Sequence, residues 1–296
     1  MLRITRSIGE RILFLLCVVA CSVILLIAVM IVAGATPILL SKSTALLSDT
    51  WDPNKGEYGL LPFIAGSVFV VSIALLIAVP IGVLSALFVV EYCPRRAREF
   101  LEALFQVNFS IPSIIYGFWA LIFIVPLLKG TIQPFLVECL GFIPIFRGQP
   151  RGFGVMAASI VLATMIIPLI TAISIEVMKL VPEELKLSAY ALGASRSEVA
   201  FRVTLRVAFP GIGAAILLSL GRAIGETMAV LWVTGNVAIV PKSLLDPCYV
   251  MTSVLVNEFG ASVGDPYHTS ALFAIALVLF LMSVAFVSTS KYIIWR

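Results

Sequence analysis

Six uninterrupted apolar runs, each long enough to cross a bilayer, constrain this chain more than any other feature. They cover about Ile12–Leu40, Leu61–Val90, Leu104–Leu128, Phe153–Met178, Val207–Val233 and Ser270–Ile294. A helix needs about 20 apolar residues to cross the hydrocarbon core. Inside a membrane only helices or closed barrels satisfy the backbone, and continuous runs lack the alternation of a barrel strand. Of 296 residues, 61% are hydrophobic and 12% charged, where a soluble domain carries roughly a quarter charged. The sequence therefore predicts an all-α integral membrane protein with about six transmembrane helices, and water-soluble classes are excluded.

Arg3, Arg6 and Arg11 precede the first run, and Ala33-Gly34-Ala35 resembles a cleavage site. The run exceeds the ~7–15-residue core of a signal peptide, so a retained anchor is expected. Residues 1–60 read as this anchor and a first outer loop, and residues 61–296 as the body of the protein. Basic residues then orient the spans. Arg3, Arg6, Arg11, Arg95, Arg96, Arg98, Lys179, Lys186, Arg196, Arg202, Arg206, Lys291 and Arg296 fall on one side. Lys42, Lys55, Lys129, Arg147, Arg151 and Lys242 fall on the other. Thirteen against six puts both termini in the cytoplasm.

Several chemistries are absent. The net charge of +4 is spread without a basic stripe, so no nucleic-acid partner is expected. No G-x-x-x-x-G-K-[ST] loop, HExxH or GxSxG occurs, so the chain reads as no enzyme, and energy for any work must come from a partner. His268 is the only histidine and the cysteines form no CxxC pair, so neither metal nor cofactor is expected. Cys17 and Cys21 sit in an apolar run, whereas a pairing of Cys139 with Cys248 in outer loops stays open.

The largest cytoplasmic stretch runs from about 179 to 206. Pro182 suits the first turn of a helix through Ala189-Tyr190-Ala191-Leu192, and Gly193 is placed to stop it. Ser195 or Ser197 can cap the next helix, with Glu198 near its positive end. Such a helix–turn–helix fits either docking of a soluble partner or a connector lying on the bilayer.

Within the fifth run lies Gly221-Arg222-Ala223-Ile224-Gly225-Glu226-Thr227. On a continuous helix Arg222 and Glu226 share one face, a turn apart. A charge there costs at least about 2.5–3.5 kcal/mol, so it should face protein or a watery path. One reading is an anion pathway, in which the planar donor fork of Arg222 matches an oxyanion. In it Glu226 holds the arginine when the path is empty, and accepts hydrogen bonds from a protonated phosphate while repelling a fully ionised sulfate. The other is a structural ion pair beside the close-packing glycines Gly221 and Gly225.

The stretch from Leu187 to Gly193, with Val203 and Leu205 downstream, resembles the EAA loop of ABC importer permeases. Leu187 and Ser188 stand where that loop usually has Glu and Ala, and Arg206 where it has Pro. The run Gly221 to Val230 resembles the signature of the phosphate-specific permeases. Ile111-Pro112-Ser113-Ile114-Ile115-Tyr116-Gly117, Val79-Pro80-Ile81-Gly82, Glu91-Tyr92 and Asn257-Glu258-Phe259 are similar too. Met228-Ala229-Val230 and Ser188-Ala189-Tyr190 resemble the PstC-type subunits more than the sister PstA type.

The resemblance implies a type I ABC importer permease fold in a bacterial or archaeal inner membrane, with a coupling helix in residues 179–206. Glu184, Ser188, Ala189, Gly193 and Ala194 would then meet the ATPase. Arg222, Glu226 and Thr227 would line the substrate path, with Asn108, Ser110 and Ser113 of the third span as candidate donors. It also implies partners: a PstA-type permease, two PstB-type ATP-binding subunits that hydrolyse ATP, a PstS-type phosphate-binding protein outside, and membrane lipid. The implied function is phosphate import by alternating access. A path for sulfate or molybdate, and a sensor or scaffold without a path, are the alternatives.

Overall fold

The structure, a computed structural model, describes residues 8–42 and 45–295; Arg3, Arg6 and Arg296 lie outside them. Helix α1 (Ile8–Lys42) leads to a small hairpin of β1 (Trp51–Asp52) and β2 (Glu57–Tyr58), antiparallel with Trp51 opposite Tyr58. Then follow α2 (Leu61–Glu91), α3 (Arg95–Phe109), α4 (Ser113–Leu140), α5 (Val155–Lys179) and α6 (Glu183–Ala191). The chain closes with α7 (Arg196–Ile224), α8 (Met228–Leu231), α9 (Met251–Ser262) and α10 (Pro266–Trp295). Helices α1, α2, α4, α5, α7 and α10 are long and apolar enough to span a membrane, which accounts for the six apolar runs.

Two spans differ from the sequence reading. The third was expected over Leu104–Leu128, but the chain breaks at residues 110–112 and the span is α4, Ser113–Leu140. Before the break, α3 is amphipathic: Leu101 and Phe105 pack inward while Phe100, Leu104 and Val107 are exposed. Pro112 explains the boundary, because it disfavours helical geometry at Ile111 and starts a new helix well. Beyond it the helix runs through Lys129 to Leu140 instead of turning into a loop. Two widened π turns, Ala120–Ile124 and Leu128–Ile132, each end two residues before a proline, Pro126 and Pro134. Such turns absorb the missing N–H and the ring clash of a proline inside a helix.

In lipid, helices gain little from apolarity alone and associate by close contact and hydroxyl hydrogen bonds. Helix α5 is the centre, buried over most of its length, whereas α1 is exposed over most of its own. It runs parallel to α2 in fixed register: Ser159 Oγ donates to Val70 O at 3.1 Å and Thr171 Oγ1 to Gly82 O at 3.2 Å. Both pairs are 89 residues apart, so 12 residues of each helix stay in step. Ser270 of α10 joins α1 differently. Its hydroxyl accepts from Ile38 N at 3.0 Å and donates to Gly34 O at 2.8 Å, standing inside the α1 hydrogen-bond ladder next to Pro37.

At that end of the bundle Trp51, Tyr58 and Phe63 pack edge to face around the hairpin. Trp51 Nε1 donates to Glu258 Oε2 at 2.9 Å, and His268 Nε2 lies 3.1 Å from the same oxygen. Asp265 Oδ1 accepts from the Tyr267 and His268 amides at the start of α10, and Oδ2 accepts from Tyr58 Oη. The cysteines are free. Cys248 is buried, where desolvation pushes its thiol up to about 12, and Cys139 is exposed, so the pairing left open is not made.

Candidate functional site

The fifth span does not continue through Val233. Helix α7 ends at Ile224, the chain turns through Gly225, Glu226 and Thr227, and α8 restarts at Met228. The last amide bonds of α7 are long, Gly225 N to Gly221 O and Glu226 N to Ala223 O both at 3.4 Å. Glycine is a poor helix former, and the acid behind it finds a better role. Glu226 Oε1 accepts from Ala229 N at 3.2 Å, tying down a free amide at the start of α8. The Glu226 carbonyl, left over by the break, accepts from Thr252 Oγ1 of α9 at 2.7 Å. Alongside, Ser67 Oγ of α2 accepts from Met251 N at 2.9 Å. Glu226, Ser67 and Thr252 border a void of about 10 Å³, room for one water.

This break corrects the geometry assigned to the two charges. Arg222 sits in the last turn of α7 and Glu226 beyond its end, so they do not share a helix face. They form no ion pair among the described residues. Arg222 is half-buried at the negative end of the α7 dipole, which favours a cation. Thr227 is half-buried in the turn, its Oγ1 donating to Gly225 O at 3.3 Å. The packing assigned to Gly221 and Gly225 is also corrected within this chain. Both are exposed, and a Cβ on either would meet no other helix within 4 Å. With Leu218, 60% exposed, they form an open face around Arg222.

The break between α3 and α4 stands close to this turn. A Cβ on Gly117 would lie 2.8 Å from Trp232 Cδ1 and 3.0 Å from Ala229 Cα, so glycine is required for α4 to reach α8. Tyr116, one residue earlier, is buried and within electrostatic range of Arg222. Its hydroxyl donates to Asn108 O at 2.9 Å and also contacts Asn108 Oδ1, clamping the end of α3 over the start of α4. Asn108, Ser110 and Ser113, expected inside the third span, lie at the end of α3, in the break and at the first turn of α4. Ser110 Oγ donates to its own backbone, Gln106 O at 3.2 Å. The structure therefore gathers Asn108, Arg222, Glu226 and Thr227 around the two breaks. It adds Tyr116 and Thr252, which were not singled out. A signal for Tyr116 existed, since a buried tyrosine hydroxyl in a span needs a partner.

Residues 179–206 form the expected helix, turn and second helix. Gly193 has φ +85°, with Ala194 N donating to Ala189 O at 3.1 Å and Gly193 N to Tyr190 O at 2.9 Å. This nested pair ends α6 and needs a residue tolerant of positive φ at that position. Ser195 then caps α7 reciprocally, its Oγ accepting from Glu198 N while Glu198 Oε2 accepts from Ser195 N at 2.9 Å. Glu184, Ser188 and Gly193 are exposed and Ala189 and Ala194 half-buried; Ser188 Oγ donates to Glu184 O at 2.7 Å.

Six spans, a helical segment at one end and a turn beside Arg222 describe a multi-pass membrane protein. The family model described as "Binding-protein-dependent transport system inner membrane component" matches residues 78–294. Relatives named "Phosphate transport system permease protein PstC" include one from Mesorhizobium japonicum, 38% identical over 91% of this chain and 84% of its own length. Another, from Pasteurella multocida, is 40% identical over 85% of this chain and 79% of its own length. The chain belongs to the inner-membrane components of binding-protein-dependent transport systems and, among them, to the PstC family. Solved structures share the fold alone. A chain of the MetNI methionine ABC transporter, inward facing, gives a TM-score of 0.51 at 17% identity over 83% of this chain and 98% of its own. A bacterial ABC transporter that imports alginate gives 0.51 at 15% over 90% and 96%.

Proposed function

We propose that this chain is the permease subunit of an ABC importer that moves inorganic phosphate into the cytoplasm by alternating access. The observation that carries this reading is Arg222, a guanidinium on an open face of a membrane span with no carboxylate bound to it. A planar fork of N–H donors suits a tetrahedral oxyanion. Glu226, engaged by the Ala229 amide at 3.2 Å, stays near enough to discriminate by proton count. A carboxylate accepts hydrogen bonds from the protons of phosphate and repels fully ionised sulfate. Asn108, Tyr116 and Thr227 complete the wall on this chain. The other wall belongs to a second, PstA-type permease, which would cover Leu218, Gly221 and Gly225.

The energy enters at α6. Leu187 and Leu192 are exposed there, Leu192 to 90%, which is costly in water and useful in the cleft of a soluble subunit. Two PstB-type ATP-binding subunits would take this helix, and a PstS-type protein would deliver phosphate on the far side. The excess of basic residues at the α6 end of the bundle supports a cytoplasmic α6 and cytoplasmic termini. Radiolabelled phosphate uptake at low phosphate, in cells lacking the chain and in cells with it restored, tests the reading. Excess sulfate and molybdate are added in parallel. Arg222→Gln should abolish uptake while the complex still assembles. Loss of assembly would make Arg222 a packing residue, and competition by sulfate would change the cargo.

A further inference from the structure

The cytoplasmic end of α2 is held in an unusual way. Its last carbonyls, orphaned at any helix end, go to arginines from two other helices. Arg98 of α3 donates from Nε to Val89 O at 3.2 Å and from Nη2 to Val90 O. Arg196, at the start of α7, donates to Glu91 O and lies 5.0 Å over the Tyr92 ring. Cations belong at this negative end. Glu91 itself, its side chain 7% exposed, accepts on Oε1 from Lys186 Nζ at 2.6 Å, and that lysine side chain is 13% exposed. The same oxygen accepts from Thr204 Oγ1 of α7 at 2.7 Å.

One carboxylate thus joins three elements: α2 through its backbone, α6 through Lys186 and α7 through Thr204. Leu187 of α6 and Leu192 just past its end are exposed. A displacement of α6 must therefore carry α2 and the base of α7 with it or break this joint. The far parts of those two helices are Ser67 of α2 and the Gly225 turn of α7, which meet beside Thr252. Buried ion pairs add little net stability, so stability alone does not account for this one.

We propose that Glu91 is the positioning residue that transmits movement of α6 to the helices around the intramembrane turn. The proposal rests on reading α6 as the helix that docks the ATP-binding subunits. The test uses the complete complex in lipid vesicles, with both permeases, the ATP-binding subunits and the phosphate-binding protein. ATP hydrolysis is read with and without phosphate-loaded binding protein, together with phosphate accumulated per ATP.

In Glu91→Gln the complex should assemble and hydrolyse ATP at its basal rate. Stimulation by the loaded binding protein should fall about tenfold, the weight of one hydrogen bond to a charged group. The exchange of Glu91→Lys with Lys186→Glu should recover part of it, which a loss of packing alone would not allow. Stimulation equal to the parent's overturns the proposal. If Glu91→Gln does not assemble, Lys186→Gln decides by the same ratio. Crosslinking of Ser188→Cys to an ATP-binding subunit separates the two readings. No crosslink in the otherwise unaltered complex removes the docking reading and the proposal with it. A crosslink with unchanged stimulation in Glu91→Gln removes the proposal alone.

Discussion

At the scale of single residues, the positions that matter are polar groups in an apolar solvent. Such groups are costly unless something meets them, so each one asks for a partner or a task. Tyr116 has a partner, the carbonyl and side chain of Asn108. Tyr116→Phe should cost about 1 kcal/mol, the net worth of one hydrogen bond, with the complex still assembled. Thermal unfolding of the detergent-solubilised complex reads this, and an unchanged midpoint would show the clamp to be idle. Arg222 has no ion-pair partner among the described residues, and the proposed oxyanion path would give it one. Its rarity inside a span made it legible from sequence. The pairing with Glu226 was not, because an i, i+4 spacing presumes a continuous helix, and whether Gly225-Glu226-Thr227 continues one is decided by neighbours. Thr252 and Ala229, which take up the two ends of Glu226, are distant in sequence or hidden in a run of apolar residues.

At the scale of elements, unbroken apolar runs mark their spans nearly to the ends, while α4 and α7 lie away from where hydropathy puts them. Hydropathy measures length and not breaks, so α3, whose inner face carries Leu101 and Phe105, merged into the third span. The turn at Gly193 was legible because it rests on backbone chemistry: a β-branched residue at φ +85° is strained. No neighbour stands within 4 Å of a Cβ there, so strain alone acts. Gly193→Val should destabilise the turn by about 1–2 kcal/mol and uncouple phosphate uptake from ATP hydrolysis. Normal uptake in that variant would remove α6 from the coupling path.

At the scale of the whole molecule, three clusters of buried side chains hold the protein: one around α5, one where α2, α3 and α7 meet beside α6, and one under the hairpin. The third carries a titratable contact. Hydrogen bonds from the His268 amide first, and then from the Tyr267 amide and Tyr58, hold the Asp265 carboxyl below its ordinary value, against the opposing pull of desolvation. A depressed folded pKa stabilises above the unfolded value and is lost as pH falls through the folded one. The complex should therefore lose thermal stability below about pH 4, and Asp265→Asn, which still caps α10 but does not titrate, should lose less. Equal losses in both proteins would show that this carboxylate contributes nothing.

That the chain lies in a membrane, how often it crosses, which family it resembles and that Arg222 and Glu226 fall within an apolar run are all legible in the sequence. These follow from hydropathy, charge and spacing, which are local. Packing sets where the chain breaks before α4 and after α7, that Arg222 and Glu226 form no pair, and that Glu91 joins three helices. Those outcomes depend on hydrogen bonds between residues up to 113 positions apart, such as Thr204 with Glu91. No local pattern fixes such a bond, because each partner is chosen by how the helices pack.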